Sequence, residues 1–226
     1  MKAMETDRKW VIVRIDGKIA AISTDYRKLA EICARLADCQ ATAKRTKTEL
    51  FREITATTVS FTEILKLKET TEWEGLMLFG TEFQKMVWKK LWSLTHPEEQ
   101  KAQVDQKMQK EKGTQAETRQ STNGIPRLIS YSDFAELCQN KAGVRPVAHA
   151  VGLNPIAVLI PCHLVIPKES IDKIREIQKK AESTIFKGDD LCFESILSDP
   201  GIDFGEYALG REVKRELIRQ ISRPDG

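Results

Sequence analysis

No apolar run in the sequence approaches the roughly 20 residues that a membrane-spanning helix requires, which argues against a helical membrane anchor. A secretory leader is not expected either. The opening MKAMETDRKWVIV reaches apolar residues only at Trp10 and soon returns to charge. Paired cysteines are missing too. The five present, Cys33, Cys39, Cys138, Cys162 and Cys192, are odd in number and show no C-x-x-C spacing. That pattern argues against a disulfide framework or a four-cysteine zinc site, and for a reducing compartment. The histidines His96, His149 and His163 are scattered. Neither a metal nor a cofactor is expected. Charge of one sign is scarce as well: the net charge of +3 permits a nucleic-acid partner without arguing for one. The apolar fraction of 41% is a little low and the charged fraction of 31% a little high. The chain therefore reads as a soluble protein that carries some highly charged, poorly packed segments.

What is there begins with WVIVRIDGKIAAIS at 10–23, two β-rich runs around Asp16-Gly17, which is a strong hairpin signal. Leu29, Ile32, Cys33 and Leu36 recur at helical spacing and predict an amphipathic helix near 27–38. TTVSFTEILKL at 57–67 is β-branched and partly alternating, and predicts a further strand. Residues 1–78 thus form a small α/β or α+β domain without a catalytic constellation. GTEFQKMVWKKLWSL at 80–94 predicts a helix opened by a Thr81/Gln84 capping box, with Phe83, Val87, Leu91 and Leu94 on one face. From about 95 to 126 the chain turns to Gln, Lys and Glu, and reads as a flexible insertion that cannot bury enough surface to fold alone.

RLISYSDFAELCQNKAGVRPVAHAVGLNP at 127–155 predicts two short helices joined by the turn Lys141-Ala142-Gly143, with Pro146 in the first turn of the second. Such a pair suggests a helix-turn-helix, although many helical hairpins bind nothing. Ile171, Ile174, Ile177, Ala181 and Ile185 mark an amphipathic helix over 170–187. Asp199-Pro200-Gly201 is a turn. Val213, Leu217, Ile218 and Ile221 form the apolar stripe of a last helix, on which Lys214, Arg215 and Arg219 are expected to be solvated or to touch phosphate.

Between these lies NPIAVLIPCHLVIPKES, residues 154–170, in which Cys162 and His163 sit between two apolar runs. Taken alone, the thiol reads either as a small buried hydrophobe or as a nucleophile, the second only if something nearby favours thiolate. The surrounding pattern decides between them. NPIAVLIPCH, with SY and Arg145 upstream and Gly205-Glu206-Tyr207 and Lys214 downstream, resembles the O6-alkylguanine-DNA alkyltransferase family, the methylated-DNA–protein-cysteine methyltransferases. The resemblance covers about 80–94, 127–166 and 205–221. It implies an α+β chain: a small N-terminal RNase H-like domain over 1–78, then a winged helix-turn-helix-like DNA-binding and active-site domain over 79–226. That second domain carries two insertions, at about 95–126 and 167–204.

The same resemblance implies roles for single residues. Cys162 matches the acceptor thiol. His163 matches the histidine that helps deprotonate it through a water, and Asn154 the asparagine that braces the active-site turn. Tyr131 matches the tyrosine that assists base flipping. Arg145 matches the arginine that fills the space of the extruded base. Val165 matches a backbone contact to the base, and Tyr207 and Ala208 the loop that closes over O6. The implied activity is single-turnover DNA repair, with no cofactor, by a monomer acting on double-stranded DNA that contains O6-alkylguanine. The implied compartment is the cytoplasm, or the nucleus in a eukaryote.

The sequence departs from the family pattern in three places. Leu164 stands where the family has arginine. About forty residues separate the Cys-His motif from Gly205, where the family has a short turn. Ile221 falls where the family's last helix carries the glutamate behind the histidine; Glu169, Asp172, Glu176, Asp189, Asp190, Glu212 and Glu216 are the carboxylates at hand to replace it. These departures leave two other readings beside transfer: a protein that recognises the lesion with weak or no transfer, and an interaction protein on an inactive scaffold.

Overall fold

The computed structural model of the chain describes residues 9–27, 29–34, 53–96, 128–182 and 189–221. From residue 97 the insertion expected at about 95–126 lies outside them, as do positions 35–38 of the first expected helix, Cys39, and the side chains of Asp189, Asp190, Cys192 and Ile221. The described residues fall into two compact units. One holds those up to Trp88 together with Ala150–Cys162; the other holds Lys89–His149 and the residues from His163 onward. Among the described residues no helix is long and apolar enough to cross a membrane.

The first unit is built on an antiparallel sheet of order β2-β1-β3, with β1 Trp10–Ile15, β2 Lys18–Ser23 and β3 Ile54–Val59. The hairpin between β1 and β2 turns on Asp16 (φ 47°) and Gly17 (φ 79°), both left-handed, as an Asp-Gly turn favours. Asp16 also accepts from the Glu53 amide at 2.9 Å, which ties the turn to the chain entering β3. Val11, Val13 and Ala21 pack with Leu29 on one face of the sheet. Burial of Val11, Val13 and Leu29 contributes about 1.5–3 kcal/mol each. The outer edge of β2 is also occupied. Met77 donates to the Ile19 carbonyl at 2.8 Å, and Ile22 donates to the Pro155 carbonyl at 2.9 Å.

The strand expected over 57–67 ends at Val59. The next segment is α1, Phe61–Thr70. Ser60 and Glu63 explain the switch. The Ser60 hydroxyl accepts from the Glu63 amide at 3.2 Å, and the Glu63 carboxylate accepts from the Ser60 amide at 2.7 Å. This reciprocal cap, with Ile64 fully buried below it, overrides the β-propensity of the preceding threonines. Ser60→Ala is expected to lower the unfolding free energy by about 1 kcal/mol, read from the urea midpoint. The Ser60 backbone N–H, then its hydroxyl, hold the Glu63 carboxyl below its usual pKa. That contribution is present above the unfolded value of 4.5 and is lost as pH falls through the folded one.

α2, Glu82–Trp92, starts at the expected box: Thr81 donates its amide to Gln84 at 2.9 Å and accepts the Gln84 amide at 3.2 Å. The buried Trp88 indole donates to the Ala150 carbonyl at 2.8 Å within the first unit.

The second unit contains a short parallel pair, β4 Ile129–Ser130 with β5 Val165–Ile166. The expected helix pair is present as α3, Tyr131–Leu137, and α4, Val144–Gly152. The amphipathic helix expected over 170–187 is present as α5, Lys168–Glu182, and positions 183–187, Ile185 among them, lie outside the described residues. A helix the sequence pattern did not announce, α6, spans Asp189–Ser198, and α7 spans Arg211–Ile221. Ile166, Ile171, Ile174, Ile196, Leu197, Ile202, Phe204 and Ile218 form one buried cluster. The segment inserted at 167–204 therefore has its own apolar core, shared with β5 and α7.

Candidate active site

The thiol sits in the first unit at the end of a buried loop. After α4, Pro155 and Ile156 run along the edge of β2, where Ile156 bridges Ile22. The chain then turns at Val158, whose φ of 75° is an unusual, strained value for a β-branched residue. Ile160 donates back to the Ile156 carbonyl at 3.1 Å, and Cys162 to the Ile160 carbonyl at 2.8 Å. Ile156 to Ile160 are all buried, so the loop is held by packing on every side chain.

Asn154 is the hub of this loop. Its amide oxygen accepts from the Ile156 N–H at 3.0 Å. Its amide nitrogen donates to the Ile160 carbonyl at 2.9 Å and to the Cys162 Sγ at 3.0 Å. The orientation of the amide follows from its partners, because the Ile156 nitrogen can only donate and the Ile160 oxygen can only accept. An N–H aimed at sulfur stabilises a thiolate more than a thiol. The described cysteines thus differ in kind. Cys33 is exposed, whereas Cys138 is buried and burial pushes its thiol up to about 11, which keeps it inert. Cys162, 6% exposed, has a donor on its sulfur.

The second unit gathers another set. His163 and Leu164 continue a 3-10 turn, and both are buried. Leu164, a departure from the pattern of the resembled family, is a core residue. Val165 pairs with Ile129 in the parallel ladder, which brings Tyr131, the first residue of α3, next to that pair in the chain. Ser130 caps α3 by accepting the Asp133 amide at 3.0 Å. The Tyr207 ring meets the His163 imidazole edge-on, with centroids 6.4 Å apart and planes at 82°. Tyr207 and Ala208 lie half-buried in a turn closed by the Gly210 amide on the Tyr207 carbonyl at 2.9 Å. Arg145 stands apart from these groups as the second residue of α4, exposed.

One residue of this unit differs from the sequence expectation. Lys214 is not on a solvated face: it is 1% exposed, and its ammonium donates to the Val165 carbonyl at 2.8 Å. Its position three and four residues before Leu217 and Ile218 puts it on the buried stripe of α7, a signal available in the sequence. Of the carboxylates that could stand behind His163, Glu169, Asp172, Glu176 and Glu212 are exposed. Glu216 bonds to Arg219 and, at 2.9 Å, to Gln220.

Residues 115–183 match the family model described as the DNA-binding domain of 6-O-methylguanine DNA methyltransferase, a span that includes Asn154, Cys162 and His163. The segment that is similar to this family makes up about a third of the chain. A probable methylated-DNA–protein-cysteine methyltransferase of Acanthamoeba polyphaga mimivirus is 34% identical over 95 residues, 42% of this chain and 44% of that protein. The inducible methylated-DNA–protein-cysteine methyltransferase of Bacillus subtilis (strain 168) is 49% identical over 39 residues, 17% of this chain and 22% of its own. The chain thus spans less than half the length of these curated relatives. Among solved structures, the O6-methylguanine-DNA methyltransferase of Pyrococcus kodakaraensis strain KOD1 has a TM-score of 0.43 at 16% identity, over 96% of this chain and 94% of that one. From the pattern of the family it resembles, this chain departs at Leu164 and in carrying α5 and α6 between the Cys-His turn and Gly205.

Proposed function

We propose that the chain repairs DNA by direct reversal, moving a methyl or larger alkyl group from O6 of guanine to Cys162 in one irreversible turnover. The observation that carries this reading is the Asn154 N–H held 3.0 Å from a buried Cys162 sulfur, inside the segment that matches the family. In the reaction the Cys162 thiolate attacks the alkyl carbon in line. The S–C bond forms as the C–O6 bond breaks, its electron pair leaves with the guanine, and the proton lost by the thiol returns to the base. The thioether is stable, so each chain acts once. His163, the next residue, takes the thiol proton through a water.

A duplex hides O6 in the base stack, so the nucleotide must be flipped. Tyr131 assists that rotation, and Arg145, exposed at the start of α4, fills the gap left behind. The partner is double-stranded DNA carrying O6-alkylguanine, approached by a monomer through the α3–α4 helix pair in the minor groove. Val165 offers a backbone contact to the base, and Tyr207 and Ala208 close over O6. In this reading residues 1–78 are an RNase H-like domain, and 79–226 a winged helix-turn-helix-like domain that carries the chemistry.

The test is an intact-mass measurement after incubation with a duplex containing one O6-methylguanine. The expected result is one added methyl per chain, mapped to the Cys162 peptide and absent in Cys162→Ala. Selective binding of the lesion duplex with Cys162 left unmodified would overturn transfer in favour of recognition alone.

A further inference from the structure

The segment between the Cys-His turn and the loop 205–210 is the part of the site region that departs most from the family pattern, and several of its bonds run toward that loop. Ser170, in the first turn of α5, is 2% exposed and donates its hydroxyl to the Asp203 carbonyl at 2.6 Å, across 33 positions of chain. One turn later, Lys173 donates to the Gly201 carbonyl at 2.6 Å. Asp203 accepts the Gly205 amide at 2.9 Å. Gly205 has φ +77°, and a Cβ there would lie 3.3 Å from the Pro167 ring. Ile202 and Phe204, which alternate with these bonded residues, sink into the cluster formed with Ile171, Ile174, Ile196 and Leu197. The entry to the loop is thus gripped from residue 201 to residue 205 by the start of α5, and two residues later Tyr207 packs on His163.

We infer that the first turns of α5 position the 205–210 loop, with Ser170 as the principal positioning residue, and that this grip sets which O6 substituents the chain accepts. The inference rests on the reading of Tyr207 and Ala208 as the wall over O6. A loop pinned by a buried hydroxyl and a lysine cannot recede, so the space beside His163 has a fixed size. Methyl fits such a space better than a bulky benzyl group. Removal of the Ser170 hydroxyl releases the Asp203 carbonyl from the start of α5, and the loop then samples positions farther out.

The experiment measures single-turnover transfer rates on duplexes carrying O6-methylguanine or O6-benzylguanine, alongside amide hydrogen exchange over 203–210. In Ser170→Ala the methyl-to-benzyl rate ratio is expected to fall about tenfold, and exchange at Gly205 and Glu206 to accelerate. Ser170→Thr, which keeps the hydroxyl, should restore both. Lys173→Met, at an exposed position that leaves the core intact, should shift the ratio in the same direction by a smaller factor. Transfer with an unchanged ratio in both Ser170→Ala and Lys173→Met overturns the positioning role and leaves the transfer reading standing. Absence of any transfer by the unaltered chain overturns both.

Discussion

Asn154→Ala is expected to slow alkyl transfer by one to two orders of magnitude and to cost the fold about 1–3 kcal/mol. Both effects come from the same three bonds. The stability loss arises because the Ile156 N–H stays buried after its partner is gone, whereas the Ile160 carbonyl keeps the Cys162 amide. A stranded group of that kind costs about 1–3 kcal/mol, more than an ordinary hydrogen bond contributes. The rate loss arises because the donor on the Cys162 sulfur is worth more to the thiolate than to the thiol, and a bond to a charged group contributes about 1.5–3 kcal/mol. Loss of the brace also lets the strained turn at Val158 relax.

Asn154→Asp separates the two effects. It keeps the acceptor for Ile156 but turns the donor side into an oxygen that faces another oxygen and a sulfur. As a carboxylate it repels the thiolate, so at neutral pH transfer should fall below that of Asn154→Ala. As a carboxylic acid it can donate again, so its rate should recover as pH falls, whereas the unaltered chain loses thiolate in that direction. Single-turnover rates across a pH series, with urea melts of each variant, check this. A rate within twofold of the unaltered chain for Asn154→Ala would remove the asparagine from the chemistry.

How much of this was open to sequence reading depends on the range of the interactions. Local rules located the Asp16-Gly17 hairpin, the Thr81 capping box and the α3–α4 pair, because each depends on residues within four positions of one another. The strand expected at 57–67 failed on a conflict between two local signals, in which a reciprocal Ser60–Glu63 cap won over β-branched composition. α6 went unseen because its apolar positions Ile196 and Leu197 find their partners on α5 and in Ile202 and Phe204, not in a periodic pattern of its own. At the site, the motif named Asn154 and Cys162, but that the two groups touch is a fact of geometry. Leu164 reads as a departure in sequence and as a buried side chain in the fold. The Ser170–Asp203 bond joins residues that no short-range rule connects.

Lys214→Ala is expected to be the most destabilising single change in α7, by about 3–5 kcal/mol. Two losses combine: a long aliphatic stem buried to 1% exposure leaves a cavity, and the Val165 carbonyl loses its donor. In a chain of this size each kcal/mol shifts the melting temperature by about 2–4 °C, so a fall on the order of 10 °C is the signature. Lys214→Met keeps the stem and removes the charge. It should recover most of the stability, because volume-conserving changes in a core usually cost less than about 1.5 kcal/mol and an ammonium is expensive to bury. It should not recover transfer. The ammonium donates to the Val165 carbonyl, and Val165 follows His163 by two residues, so its loss frees the backbone that carries the imidazole and the proposed base contact. Lys214→Arg tests the same point from the other side: the charge is kept, but a planar, bulkier guanidinium replaces a compact ammonium fully buried against one carbonyl. A stable Lys214→Met that transfers at the unaltered rate would make the buried lysine a packing residue alone. A stable but slow one makes it the group through which α7 holds the catalytic turn.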